Sequence, residues 1–279
     1  HSNLTYLLKF KERELVLRRP PFGSQVKSGH DMSREYRVLS HLKPVFETVP
    51  KPFHLCESTE LLGVPFYVME RVKGVILRGR KGESKPPPEL MRKLSCNLVG
   101  ALAKVHGIDR QAAGLGDWGR PEGYVRRQIE GWTRRYGKAA TEEIPALNKV
   151  MEWLAANQPG EVGAAIIHND YKYDNLVLDA GDISSIIAIL DWEMATVGDP
   201  LMDLGTSLGY WIEAADGEAL AKIPAGPTRL PGNLGRVELA EEYARVSGYD
   251  LSNLTFYYAF GLFKIMVIAQ QIYKRFDMG

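Results

Sequence analysis

Residues 166–179, IIHNDYKYDNLVLD, and residues 186–200, IIAILDWEMATVGDP, decide how this chain is read. Ala164, Ala165, Ile166 and Ile167 form a short apolar run of buried-strand type, Leu176, Val177 and Leu178 a second, and residues 186–190 a third. A polar loop lies between the first two. Gly181 and Asp182 supply a hairpin turn between the second and third, so Asp191 is expected to return beside the loop that carries Asp170 and Asn175. A loop clamped at both ends by core strands keeps its side chains at fixed separation. Phosphoryl transfer needs that, because it depends on positioning and charge stabilisation more than on covalent chemistry. Asp170, Asn175 five residues on and the later Asp191 match the D-x-x-x-x-N and acid spacing of eukaryotic-type kinase sites, in which the first carboxylate faces a hydroxyl nucleophile and the amide and second carboxylate hold magnesium. The competing reading takes HND, DN and LDW as turn residues satisfied by local hydrogen bonds. The joint order and spacing, with strands on both sides, favours a shared site.

HNDYKYDN and LDWEMATVGDPLMDLG resemble the aminoglycoside phosphotransferase family and its choline-kinase-like relatives. The resemblance runs from SNLTYLL near the start to FGLFKIMVIAQQIYKR near the end. It is strongest to the subgroup fused to acyl-CoA dehydrogenases, on the stretch LVLRRPP followed by HDMSREYRVL. It implies an α+β, two-lobed, protein-kinase-like fold that uses ATP and Mg²⁺. A small antiparallel sheet with a helix forms the N-terminal lobe, and a larger, mainly helical lobe follows. The resemblance also implies that His168 orients the loop from the core without transferring protons, and that Asp203 braces it.

The N-terminal lobe is expected to open with a hairpin, strands at 4–10 and 14–18 around the charged KERE turn. By resemblance Ser2 and Asn3 lie against ATP phosphates, and Arg18 stands where protein kinases carry a phosphate-binding lysine. A guanidinium can bridge phosphate and carboxylate. Its expected partner is Glu35, on a helix capped by Asp31 with Tyr36, Leu39 and Leu42 as apolar positions. Arg19 is the competing candidate, on the opposite face of the strand. Residues 64–69 read as a further strand, after which backbone groups near Glu70 and Val72 would take the adenine edge. The segment GRKGESKPPPE then reads as an exposed connection. The boundary is placed near Val72, giving lobes of 1–72 and 73–279.

In the second lobe, helices are expected at 89–106, 124–136, 234–246 and 257–276, with His106 as a packing residue. Arg126, Arg127, Arg134, Arg135 and Lys138 read as a solvated face, and as the first place to look for contacts to an anionic substrate. Asp199 and Pro200 open another helix as cap and first residue. Glu193 and Asp174 are read as loop acids.

A length of 279 residues with 45% hydrophobic content allows a substantial core, and a net charge of +1 gives no case for a nucleic-acid partner. Cys56 and Cys96 show neither CxxC spacing nor a histidine cluster, which fits a reducing cytoplasm. Neither a signal peptide nor a membrane span is expected, and the missing initiator Met suggests that His1 is not the true start. The expected partner is a small hydroxylated molecule. The subgroup resemblance suggests a hydroxyacyl acceptor, including a CoA thioester. An aminoglycoside or choline-type alcohol is the alternative, and a nucleotide-binding module without turnover is the rival of another class. A metal-dependent hydrolase is disfavoured, since no histidine-rich ligand set accompanies the acids.

Overall fold

The computed structural model describes residues 3–21, 31–79, 85–217, 220 and 226–277. Four strands, β1 (Leu4–Lys9), β2 (Glu14–Arg19), β3 (Pro52–Cys56) and β4 (Phe66–Glu70), form an antiparallel sheet in the order β1-β2-β4-β3. Arg18 faces Thr5 across one edge of β2 and Tyr67 across the other, so it sits well inside the sheet.

Against this sheet packs α1 (Met32–Leu42). Asp31 caps it by accepting from the Ser33 and Arg34 amides at 3.0 and 3.2 Å. Its buried face is Met32, Glu35, Val38, Leu39 and Leu42. Tyr36 is half-buried, edge-on to Tyr67 with centroids 6.1 Å apart. Glu35 therefore takes a core position that helical periodicity would give to an apolar residue.

The helical lobe contains α2 (Pro88–His106), α3 (Tyr124–Ala139), α4 (Pro145–Ala156), α5 (Pro200–Gly209), α6 (Arg236–Ser247) and α7 (Leu254–Asp277). Two small antiparallel pairs hold the loops of interest. One is β5 (Ala165–Ile167) with β8 (Thr196–Gly198), and the other is the hairpin of β6 (Leu176–Leu178) with β7 (Ile186–Ile189). The sequence reading anticipated β5, β6 and β7; it missed α4, β3 and the return strand β8. Val75 and Leu178 exchange backbone bonds of 2.8 Å in both directions, and the Ile189 amide donates to the Thr48 carbonyl at 2.9 Å. The hairpin is thus tied to the chain on the N-terminal side.

Helix α5 crosses α7 in backbone contact. A β-carbon on Gly205 would stand 2.1 Å from the Tyr257 carbonyl oxygen, and one on Gly261 would stand 2.1 Å from that of Gly205. Backbone meets backbone there, which only glycine permits. No helix among the described residues is long and apolar enough to cross a membrane.

Candidate active site

Asp203, buried on α5, organises the loop after β5. Its Oδ2 accepts the His168 amide and its Oδ1 the Asn169 amide, both at 2.7 Å, while His106 Nε2 lies 3.1 Å from Oδ2. Burial alone would raise the Asp203 carboxyl, but the hydrogen bond and charge of His106, with His168, hold it below the usual carboxylate range. His106 is thereby a packing and bracing residue, with Tyr243 Oη 2.6 Å from its Nδ1.

His168 is buried against Trp192, with centroids 4.8 Å apart. The Asp170 amide donates to its Nδ1 at 3.3 Å, and its Nε2 lies 2.8 Å from the Leu190 carbonyl. A carbonyl only accepts, so Nε2 carries the proton and the ring locks the loop to the end of β7. Asn169 and Asp191 have φ of 68° and 66°, the two positive values outside glycine among the described residues. Asn and Asp tolerate that region better than most residues, and local strain of this kind concentrates at working sites.

The groups the sequence singled out come together here. Asn175 Nδ2 donates to the Asp170 carbonyl at 2.8 Å and to Asp170 Oδ2 at 3.0 Å. The Leu190 amide donates to the Asn175 carbonyl at 2.8 Å, which sets Asp191 beside it. Arg18, buried on β2, is hydrogen-bonded to Glu35 Oε1, reaches Asp191 Oδ1 at 2.8 Å and lies 3.7 Å from Glu193 Oε2. Burial disfavours the Arg18 charge, yet Glu35, Tyr67 and Asp191 raise its pKa above the ordinary guanidinium value.

Other placements differ from the sequence reading. Arg19, the competing candidate, is buried, with Nη1 3.3 Å from the Leu62 carbonyl. Asn3 donates to Glu193 Oε2 at 2.6 Å, and Ser2 lies outside the described residues. The Glu70 amide donates to the Lys51 carbonyl at 2.8 Å, so that N–H is already committed within the sheet. Val72 follows in a stretch without regular structure.

Three residues went unused or were set aside. Lys172 Nζ lies 2.8 Å from both oxygens of Asp170 and 4.6 Å over the Tyr210 ring. Its signal was present inside HNDYKYDN. Glu193, read as a loop acid, is drawn into the cluster, and its carboxyl is pushed up to about 8 by burial, then by Asp191 and Glu35. Lys264 on α7 is buried and donates to the Asn169 carbonyl at 2.7 Å. Burial pushes it down to about 8, against the pull of Asp203 and Asp170.

A small antiparallel sheet, a helical lobe and a braced acidic loop at their junction define a kinase-like phosphotransferase. The model of the phosphotransferase enzyme family, APH, matches residues 1–240, and the chain belongs to that family. It is similar to acyl-CoA dehydrogenase family member 11 of Rattus norvegicus, 36% identical over 286 residues covering 100% of the chain and 36% of that relative. The chain thus spans little more than a third of that relative's length. A structure assigned as an aminoglycoside phosphotransferase, from Ralstonia eutropha JMP134, superposes with a TM-score of 0.82 at 32% identity, covering 100% of this chain and 82% of the other. Spectinomycin phosphotransferase, solved with ADP and spectinomycin, shares the fold at a TM-score of 0.59 and 13% identity, over 97% of this chain and 79% of the other.

Proposed function

We propose that the chain transfers the γ-phosphoryl group of ATP to a hydroxyl group of a small molecule, with Mg²⁺. The observation that carries the reading is the convergence of Asp170, Asn175 and Asp191, with Asn175 Nδ2 3.0 Å from Asp170 Oδ2 and Arg18 2.8 Å from Asp191. Asn175 uses its amide nitrogen on Asp170, which leaves Oδ1, and Asp191 retains a carboxylate oxygen. Hard oxygen donors of this kind fit magnesium, which takes few protein ligands and completes its shell with water and phosphate. Bound there, magnesium would neutralise charge on the nucleotide phosphates.

The chain's own groups supply the rest. Asp170 orients the acceptor hydroxyl and accepts its proton. Lys172, paired with both Asp170 oxygens, is placed to counter charge on the transferring group. Arg18 holds nucleotide phosphates while Glu35 fixes its direction. The carbonyl of Glu70 and the backbone of Val72 take the adenine edge, with Asn3 near the phosphates and the lobes dividing at 72/73. An ADP-bound relative of the same fold supports a nucleotide cleft.

The acceptor we propose is anionic, a hydroxy acid or its CoA thioester, a reading prompted by likeness to a dehydrogenase family member and by Arg127 and Arg135 of α3. Free Cys56 and Cys96 support a cytoplasmic setting. The test is MgATP-dependent thermal stabilisation, followed by ADP release across hydroxyacyl-CoAs, hydroxy acids, choline-like alcohols and aminoglycosides. Stabilisation and turnover are expected, best on an anionic compound. No MgATP stabilisation would sink the kinase reading. A second reading, a nucleotide-binding module without turnover, is favoured by Arg18 standing in for lysine; stabilisation without transfer to any compound would select it.

A further inference from the structure

Beyond the acidic cluster, a second cleft opens beside the same loop, on the side of Asn169. It encloses 340 Å³, and its lining includes Arg34, Arg120, Arg127, Arg135 and Lys264 but no Asp or Glu. Five cations thus share one concavity. Those with bonds to protein groups use backbone carbonyls: Arg34 donates to Ala195 at 2.7 Å, Lys264 to Asn169 at 2.7 Å, and Arg127 to Glu122 and Arg120. None of the five is in an ion pair among the described residues. The contrast on the same helix is direct, because Arg126 and Arg134 pair with Glu130 at 3.0 and 3.9 Å.

Aromatic faces support three of these cations. The Trp132 ring lies 4.6 Å from Arg135 and 5.7 Å from Lys264, and the Trp118 ring 5.2 Å from Arg34. Lys264 is only 4% exposed, so its charge is largely removed from water, and the Asn169 carbonyl with the charges of Asp203 and Asp170 offsets that only in part. Gathering like charges in a concavity is unfavourable unless an anion fills it. One water needs only ~10–15 Å³ of such space, so the cleft has room for more than a single phosphate group.

We propose that this cleft binds a phosphate-class anionic group of the acceptor, in two-phosphate size, and so selects the substrate. This rests on the phosphotransferase reading for the direction of the acceptor. Asn169 lines the cleft and Asp170 follows it, so a molecule anchored there by its anionic end extends its hydroxyl toward Asp170. Bidentate guanidinium groups suit phosphate oxygens, and Lys264 adds a point charge at the floor.

The probe is inorganic pyrophosphate, titrated against tryptophan fluorescence with the nucleotide site filled by magnesium and a non-hydrolysable ATP analogue. Saturable quenching is expected. Arg127→Ala with Arg135→Ala should weaken it at least roughly tenfold, about 1.4 kcal/mol, while Arg126→Ala with Arg134→Ala should leave it unchanged. No quenching in the wild type, or equal weakening in both double variants, overturns the site. Matched acceptors with and without a terminal phosphate then separate binding from substrate selection. The Arg127/Arg135 variant should lose kcat/KM on the phosphorylated member alone, and equal loss on both overturns the acceptor role. MgATP stabilisation is read in the same samples. Its absence alongside intact pyrophosphate binding would count against the kinase reading and leave the anion site standing.

Discussion

Replacing Arg18 by methionine removes the cation that joins Glu35, Asp191 and Glu193. The Arg18 and Glu35 side chains are 7% and 1% exposed, so solvent screens little of the change. Breaking a buried, hydrogen-bonded pair by removing one partner costs about 3–5 kcal/mol, because the remaining charge keeps its desolvation penalty. Here that charge would also face the acids Arg18 now separates. At roughly 2 °C per kcal/mol for a chain somewhat above 250 residues, Tm should fall by about 6–10 °C. Glu35→Leu should cost less, since Arg18 keeps Asp191 at 2.8 Å. The double variant should fall short of the sum by about 2–3 kcal/mol, near the upper end for contacting residues. Thermal unfolding followed by tryptophan fluorescence reads stability, and a parallel MgATP titration should show the larger loss for Arg18→Met. Losses additive to within ~0.5 kcal/mol would mean that the two side chains do not act as a unit, and the assignment of Arg18 as a nucleotide-holding residue fixed by Glu35 would fall.

Asp191→Asn should reduce MgATP-dependent turnover on the order of 10²-fold or more while Tm moves less than for Arg18→Met, because a charged oxygen donor is lost from a half-buried part of the site; undiminished turnover removes Asp191 from it. Gly205→Ala should cost ~1–3 kcal/mol by urea denaturation, since its β-carbon would meet the Tyr257 carbonyl oxygen at 2.1 Å. Gly100→Ala, with open space around it on α2, should instead gain up to ~1 kcal/mol, and the same sign for both would refute the packing account. Lys264 is faced by Asp203, Asp170, Lys172 and Arg135, and its folded value of about 8 lies below the 10.5 of an ordinary lysine. Between those values the unfolded chain binds more protons, so wild-type stability relative to Lys264→Met should rise with pH across that window. A flat difference between pH 7 and pH 10 would show that Lys264 does not titrate as its burial requires.

Much of the acidic site was legible because its signal is local. Asp170 and Asn175 lie on one loop between two short apolar runs, and a hairpin of ordinary turn chemistry brings Asp191 back. Glu35 was legible for a different reason: a helix with a cap and an apolar stripe places it toward the sheet, where Arg18 is the matching charge. The misses are features whose cause is tertiary. Pro145–Ala156 forms α4 without a side-chain cap and buries only Leu147 and Leu154. Strand β8 is three residues, Thr196–Gly198, and exists because β5 offers it an edge. Arg19 stands in the sequence as the rival of Arg18, and only a distant carbonyl, that of Leu62, shows where its guanidinium goes.

Lys264 shows where periodicity could have gone further. Phe256, Tyr257, Phe260, Gly261, Phe263 and Val267 mark the buried face of α7, and Lys264 falls seven residues after Tyr257, on that same face. A lysine two turns from a buried aromatic is not a solvated interruption of an apolar helix. It is a charge the helix carries inward, so it requires a partner from another element. The sequence does not say which one. Asn169 supplies the partner only because Asp203 holds its amide and the positive φ fixes its backbone, so its carbonyl is available to α7. Glu193 follows the same logic. Two residues past Asp191 it could have been solvated, but Arg18 and Asn3 draw it in. In both cases the residue type and its place on the element were readable, while its chemistry came from a group far away in sequence.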